Sequence, residues 1–464
     1  MQRFIQFGRW NSASSYDAHK VDAMGRHSFV RFLWRYPIFL LAFGPPIFRT
    51  QHIDATKGIV DVWSLFQVGF LFVIAARAAK RLVTADSILL TKQSRYIIKM
   101  VFILGLFYLA SSIYSPSRLV SAAYSILYLA SWVCALEFLS DIYRNPPDWM
   151  RVVSYLRFIA ILLLIPDLIL LVVDPSLVMF YEPGVGIRFG GLIGPVPLEC
   201  PVIAIVSAYF FLHSLESKGR SIALFFLGFA GAMSTHARGC EIALMLSLSL
   251  LVVRWAFGSK RSLSIVIPGF VLLILLSGVA FGAYGGKHIW SAFNRGENVA
   301  AIETASGRTQ MWHFVLQYSL THPQGMGYVA GFRVLFRDYF TLGLLLDPTR
   351  IGNAHNAYVQ VLADAGWLAL AIYLIIVINL LRLAWRFSNR RLCLRYAVNG
   401  TYRNAIECML YIFIYEAIGG ISAADGVVPL RVSFYWYIIS VAVILGISTS
   451  MIVDYRSRQR SSDE

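Results

Sequence analysis

Phe158-Ile159-Ala160-Ile161-Leu162-Leu163-Leu164-Ile165-Pro166-Asp167-Leu168-Ile169-Leu170-Leu171-Val172-Val173 carries a single ionisable residue, Asp167, and forms the heart of an apolar run over 152–173. As a helix, about 20 such residues cross the ~30 Å hydrocarbon layer of a bilayer. Comparable runs lie at 33–48, 60–76, 97–114, 119–139, 197–213, 221–235, 240–256, 263–282, 366–385, 404–421 and 433–453. The chain therefore reads as an all-α polytopic membrane protein with about 12 transmembrane helices. Composition agrees. The 464 residues are 58% hydrophobic and 14% charged, with a mean hydropathy of +0.63. Soluble domains carry about 25% charged residues.

The net charge of +16 would suggest nucleic acid in a soluble chain. Here it sorts by side of the membrane instead. With both termini cytoplasmic, 29 of the 41 Lys and Arg fall on the inner side and 12 on the outer. The segment 77–95 brings Arg77, Lys80, Arg81, Lys92 and Arg95, and 382–403 brings six arginines, to the inner side. The positive-inside rule favours this orientation. It divides the chain into a cytoplasmic tail over 1–32, nine helices within 33–282, a large outer loop over 283–354, three helices within 355–453, and a cytoplasmic tail over 454–464. The polar lead before Tyr36 is too long and too polar for a signal peptide. Cys134, Cys200, Cys240, Cys393 and Cys408 lack metal spacing and lie in or beside apolar runs, as small core residues do.

The same topology gathers scattered polar residues on the outer face. Arg188 lies among glycines in a Gly- and Pro-rich loop over 174–196. Arg238 lies in the tight turn Thr235-His236-Ala237-Arg238-Gly239. A charge close to the bilayer costs at least ~2.5 kcal/mol on insertion scales and marks a functional position unless it snorkels. Arg308 opens a helix expected over Arg308–Leu320, where His322-Pro323 stops it and Gly325-Met326-Gly327 turns the chain. A second short helix is expected around Gly331–Thr341. His355-Asn356 then stands at the mouth of a long apolar run. An imidazole titrates near neutral pH, so His355 suits a proton acceptor or shuttle. Asn356 either orients it or caps the helix. A guanidinium matches phosphate oxygens as a planar fork, so the arginines suit an anionic, lipid-attached substrate. No carboxylate pair stands at a spacing that fixes a dyad or a metal site, and no cofactor is called for.

Together these pieces resemble the O-antigen ligase and O-antigen polymerase superfamily. The resemblance rests on Ser306-Gly307-Arg308 with Trp312, His322-Pro323-Gln324-Gly325-Met326-Gly327, His355-Asn356-Ala357-Tyr358 and Ala365-Gly366, and upstream on Arg188-Phe189-Gly190 and Arg238-Gly239. Ala369, Thr235-His236 and Pro197 depart from the family pattern. The resemblance implies an enzyme of the bacterial inner membrane that acts on its outer face. Its donor would be a glycan on undecaprenyl diphosphate. Its acceptor would be a sugar hydroxyl on lipid A–core or on a growing polysaccharide, and a chain-length regulator is a candidate partner. Arg188, Arg238 and Arg308 would hold the diphosphate and His355 would act on the acceptor hydroxyl, with His322, Asn356, Gly325 and Gly327 in support. Transfer would invert the anomeric centre without a metal. A polysaccharide polymerase is preferred over a lipid A–core ligase, because Gly307-Arg308-Thr309 with Trp312 resembles exopolysaccharide polymerases. The competing class is a transporter or flippase of the same lipid-linked sugar. It predicts inverted repeats and polar groups at mid-membrane, and the sequence offers no convincing repeat.

Overall fold

The computed structural model describes residues 26–43, 62–84, 90–144, 147–182, 186–191, 196–235, 237–258, 308–331, 354–389, 400–421, 427 and 432–463. The expected span over 263–282, most of the outer loop, and the second short helix beyond residue 331 lie outside these residues. Besides a single turn of helix at Pro175–Val178, the described α-helices are α1 (Arg26–Arg35), α2 (Val62–Val83), α3 (Lys92–Ser111), α4 (Arg118–Arg144), α5 (Trp149–Val173), α6 (Val196–Leu212), α7 (Lys218–Ser234), α8 (Arg238–Gly258), α9 (Arg308–Thr321), α10 (Ala357–Phe387), α11 (Gly400–Gly419) and α12 (Val432–Asp463). Six of them are long and apolar enough to cross a membrane. The protein is a helical, multi-pass membrane protein.

Local chemistry sets the helix starts. Thr91 caps α3 by accepting from the Ser94 N–H, and Asp148 caps α5 by accepting from the N–H groups of Met150 and Arg151. The apolar stretch Ser433–Tyr455 of α12 is buried almost all round, between α4, α10 and α11, and forms the axis of the bundle. Large apolar side chains stand exposed on the outer helices, including Phe66, Leu119, Val172 and Leu368. Lipid covers such faces in a bilayer.

Two expectations are corrected. The described part of the first span, expected over 33–48, is the end of α1 followed by a 3-10 helix at Pro37–Phe43. The span expected over 366–385 begins earlier, at Ala357, and breaks at Gly366. The loop over 174–196 carries a small hairpin, β1 (Met179–Glu182) and β2 (Gly186–Phe189), paired antiparallel, beside the all-α membrane bundle.

At one end of the bundle, opposite the β-hairpin, a salt bridge ties α5 to the α6–α7 connection. The Arg157 guanidinium donates to both carboxylate oxygens of Glu216 at 2.5 and 2.7 Å, and the Ser221 hydroxyl donates to the same carboxylate. The two side chains are 5% and 13% exposed. Burial pushes the Glu216 carboxyl up, but the Arg157 and Ser221 hydrogen bonds outweigh it and hold the group below its usual range. A pKa depressed on folding stabilises fully above the unfolded value and is lost as pH falls through the folded one. Glu216→Gln leaves the Arg157 charge buried without its counter-ion, and breaking a buried pair costs about 3–5 kcal/mol. Thermal unfolding in detergent should show this loss at pH 7. The gap from wild type should narrow as the pH falls below about 4.3, the ordinary glutamate value, and close only below the lowered native pKa, where the native carboxyl also protonates. An equal gap at both pH values would sink the assignment.

Candidate functional site

His355 has a left-handed backbone, with φ 49°. A side chain with a Cβ pays about 1–3 kcal/mol to sit there, and the conformation persists only where the surroundings over-determine it. Several groups do so. On the upstream side, the Ala354 carbonyl accepts from the Trp312 indole N–H at 2.8 Å, and the Ala354 N–H donates to Gln360 Oε1 at 2.7 Å. On the downstream side, Asn356 Oδ1 accepts from the N–H groups of Tyr358 and Val359, at 2.9 and 3.0 Å, and caps α10. The Ala357 N–H donates to the Gly420 carbonyl at 2.6 Å, and the Tyr358 hydroxyl donates to the Ala417 carbonyl at 2.8 Å. Asn356 is therefore the helix cap, and His355 is the half-buried residue ahead of it.

The short segment 357–365 ends at Gly366, whose φ of 80° and ψ of −171° suit glycine alone. The break turns the Trp367 N–H away from the Ala363 carbonyl, its partner in an unbroken helix. The turn after α9 takes over. Trp367 donates to the Pro323 carbonyl at 3.1 Å, while Met326 and Gly327 donate to the carbonyls of Ala363 and Asp364 at 2.6 and 3.0 Å. The Trp367 N–H and the Ala363 and Asp364 carbonyls, freed by the break, thus find partners in that turn. Asp364 is fully buried, and its Oδ1 accepts from the Val329 N–H at 2.9 Å and from Gln360 Nε2 at 2.8 Å.

Each residue predicted from sequence can now be placed. Arg308 is the first residue of α9, and Trp312, one turn on, bonds to the residue before His355. Arg238 is the first residue of α8. The next turn of α8 reaches Ala243, which faces Gly419, and Gly420 holds Ala357. Arg188 lies on β2, paired with Phe180, and β2 packs on α7, the helix that leads into α8. The Tyr415 hydroxyl donates to the Pro197 carbonyl and brings the start of α6, which follows the hairpin, to the same end of α11. The elements bearing Arg188, Arg238, Arg308 and His355 therefore converge on one end of the bundle. The side chains of the three arginines lie outside the described residues.

His322, Gly325 and Gly327 are not beside His355. They lie at the Gly366 break, across a nine-residue segment that spans about 13 Å as a helix. The His322 ring stacks on Tyr318 at 4.1 Å and its Nδ1 lies 2.9 Å from the Thr321 hydroxyl. Gly325 and Gly327 adopt φ of 86° and 103°. They fit the turn against Gly366 and Ser115, where an added Cβ would collide with Ala365 N and the Ser115 side chain. Their contribution is to the break. Trp312 entered the sequence analysis only through the family resemblance, and Gln360 and Asp364 had no role there. Gln360 and Asp364 stand at i, i+4 on an apolar helix, the one sequence sign of their pairing.

A multi-pass helical membrane protein with a clamped, left-handed histidine beside helix starts that carry arginine is the class these observations define. Residues 223–374, from within α7 to within α10, match the family model described as O-Antigen ligase. The match includes Arg238, Arg308 and His355 and spans about a third of the chain, so this segment is similar to that family. No curated protein matches the chain significantly.

Proposed function

We propose that the protein is an inner-membrane glycosyltransferase that moves a glycan from undecaprenyl diphosphate to a sugar hydroxyl on the periplasmic face. Both termini are cytoplasmic in this reading, and residues 283–354 form the large periplasmic loop. The observation that carries it is the strained His355 in the matched segment, at the end of the bundle where the helices headed by Arg238 and Arg308 begin. Helix starts favour anions, and an arginine at each adds charge where a diphosphate would lie. The imidazole takes the proton of the acceptor hydroxyl. The hydroxyl oxygen bonds to the anomeric carbon as the bond from that carbon to the diphosphate oxygen breaks. Undecaprenyl diphosphate leaves with its added negative charge stabilised by Arg188, Arg238 and Arg308. A single displacement inverts the anomeric centre, and the guanidinium groups do the work a metal does elsewhere.

Within this class the polymerase is favoured over the lipid A–core ligase, on Gly307-Arg308-Thr309 and Trp312. The acceptor is then the next lipid-linked repeat, and a chain-length regulator is a fitting partner. The test is reconstituted transfer with purified lipid-linked donor. Arg238→Lys keeps the charge and loses the planar fork, so most transfer should be lost while expression and folding hold. Full transfer by both Arg188→Ala and Arg238→Ala would place the donor elsewhere.

A further inference from the structure

We infer that Trp312 and Gln360 are positioning residues that set the geometry of His355 for proton transfer. The inference rests on the reading of His355 as the proton acceptor. The peptide unit between Ala354 and His355 is the point of control. Its carbonyl direction is coupled to φ of His355, and that carbonyl is held by the Trp312 indole N–H at 2.8 Å. The other polar group of Ala354, its N–H, is held by Gln360 Oε1 at 2.7 Å. Ala354 is fully buried, so water does not replace either partner.

The Gln360 amide has one workable orientation. Its Nε2 lies 2.8 Å from Asp364 Oδ1, which also receives the Val329 N–H at 2.9 Å. The Ala354 N–H only donates, so the amide oxygen must face it and the NH₂ must face Asp364. Gln360 and Asp364 are 1% and 0% exposed. The chain Val329–Asp364–Gln360–Ala354 therefore joins the turn after α9 to the backbone of the histidine. Trp312 closes the grip from α9, whose first residue is Arg308. One clamp thus sets the His355 backbone and ties it to the helix that carries a candidate diphosphate ligand. A clamp serving packing alone would suit glycine at φ 49°, yet here it imposes that conformation on an imidazole-bearing residue.

The test is a double-mutant cycle on the full-length protein in nanodiscs, with lipid-linked glycan as donor and kcat and KM measured separately. Trp312→Phe keeps a six-membered aromatic ring in the pocket and removes the N–H with the rest of the five-membered ring. Gln360→Met keeps the length and removes the amide. Each should lower kcat about tenfold, the upper end for one lost hydrogen bond, and leave donor KM unchanged. In a His355→Ala background neither should lower kcat further, because residues acting through one group are not additive. The same fractional loss with and without His355 would reduce the clamp to packing. Unchanged kcat in Trp312→Phe would overturn the inference directly, and that variant serves if Gln360→Met fails to fold. His355→Ala alone reads the separate question. If it transfers glycan at full rate, the proton-acceptor reading fails, whatever the clamp does.

Discussion

His355→Ala should slow glycan transfer by about 10²–10⁴-fold, the usual weight of a positioned general base. Donor binding should persist, because the diphosphate contacts are assigned to Arg188, Arg238 and Arg308. His355→Gln separates two roles. Glutamine accepts a hydrogen bond but does not take up a proton near neutral pH. Loss in both variants with donor still bound supports proton transfer, whereas near-normal activity in His355→Gln would leave only a positioning role. His355→Gly adds a stability arm. With φ at 49°, glycine releases about 1 kcal/mol of backbone strain that Ala retains. His355→Gly should therefore unfold at or above the temperature of His355→Ala while being equally inactive. A native histidine held in a conformation that glycine prefers, at a stability cost, is the pattern expected where strain serves function.

The long apolar runs were legible because a bilayer imposes one period and one length on them. That covered α3, α4, α5, α6, α7, α8 and α11 within a few residues of their ends, and the start of α12, which runs on to Asp463. What the sequence hid was decided by contacts between distant segments. β1 and β2 are four residues each, too short for a periodic signal, and gain their hydrogen bonds from each other. Gly366 stood at the start of the expected span over 366–385, and the break there was not legible because the turn at 323–327 supplies the partners for the groups it releases. In the site, the arginines and His355 were found because charge is conspicuous in an apolar chain. The φ of His355 was not, since a left-handed residue is set by what grips its neighbours. His322, Gly325 and Gly327 stand close to His355 in the family pattern, but the 357–365 segment separates them in space. Adjacent motif blocks here mark two linked tasks, breaking the helix and presenting the histidine.

Gly366→Ala should be the most damaging small substitution in the chain. The glycine has φ 80° and ψ −171°, a region essentially closed to residues with a Cβ. A Cβ there would meet the Pro323 carbonyl oxygen at 1.8 Å and the Gln324 carbonyl carbon at 2.8 Å. Those are backbone atoms, and Pro323 is held by its own hydrogen bond from Trp367. Neither side yields cheaply. The backbone cost and the overlap together come to roughly 2–6 kcal/mol. Relief requires the turn to withdraw, which strips partners from Ala363 and Asp364 and loosens the Gln360 link to Ala354. A change about 13 Å along the helix from His355 should therefore abolish transfer as well as lower stability. Gly69→Ala is the control. Gly69 lies in α2 with open space where a Cβ would go, and alanine favours a helix, so unfolding temperature and transfer should match or exceed wild type. If Gly366→Ala unfolds with Gly69→Ala, the segment 357–387 tolerates a continuous helix, and the break has no part in holding His355.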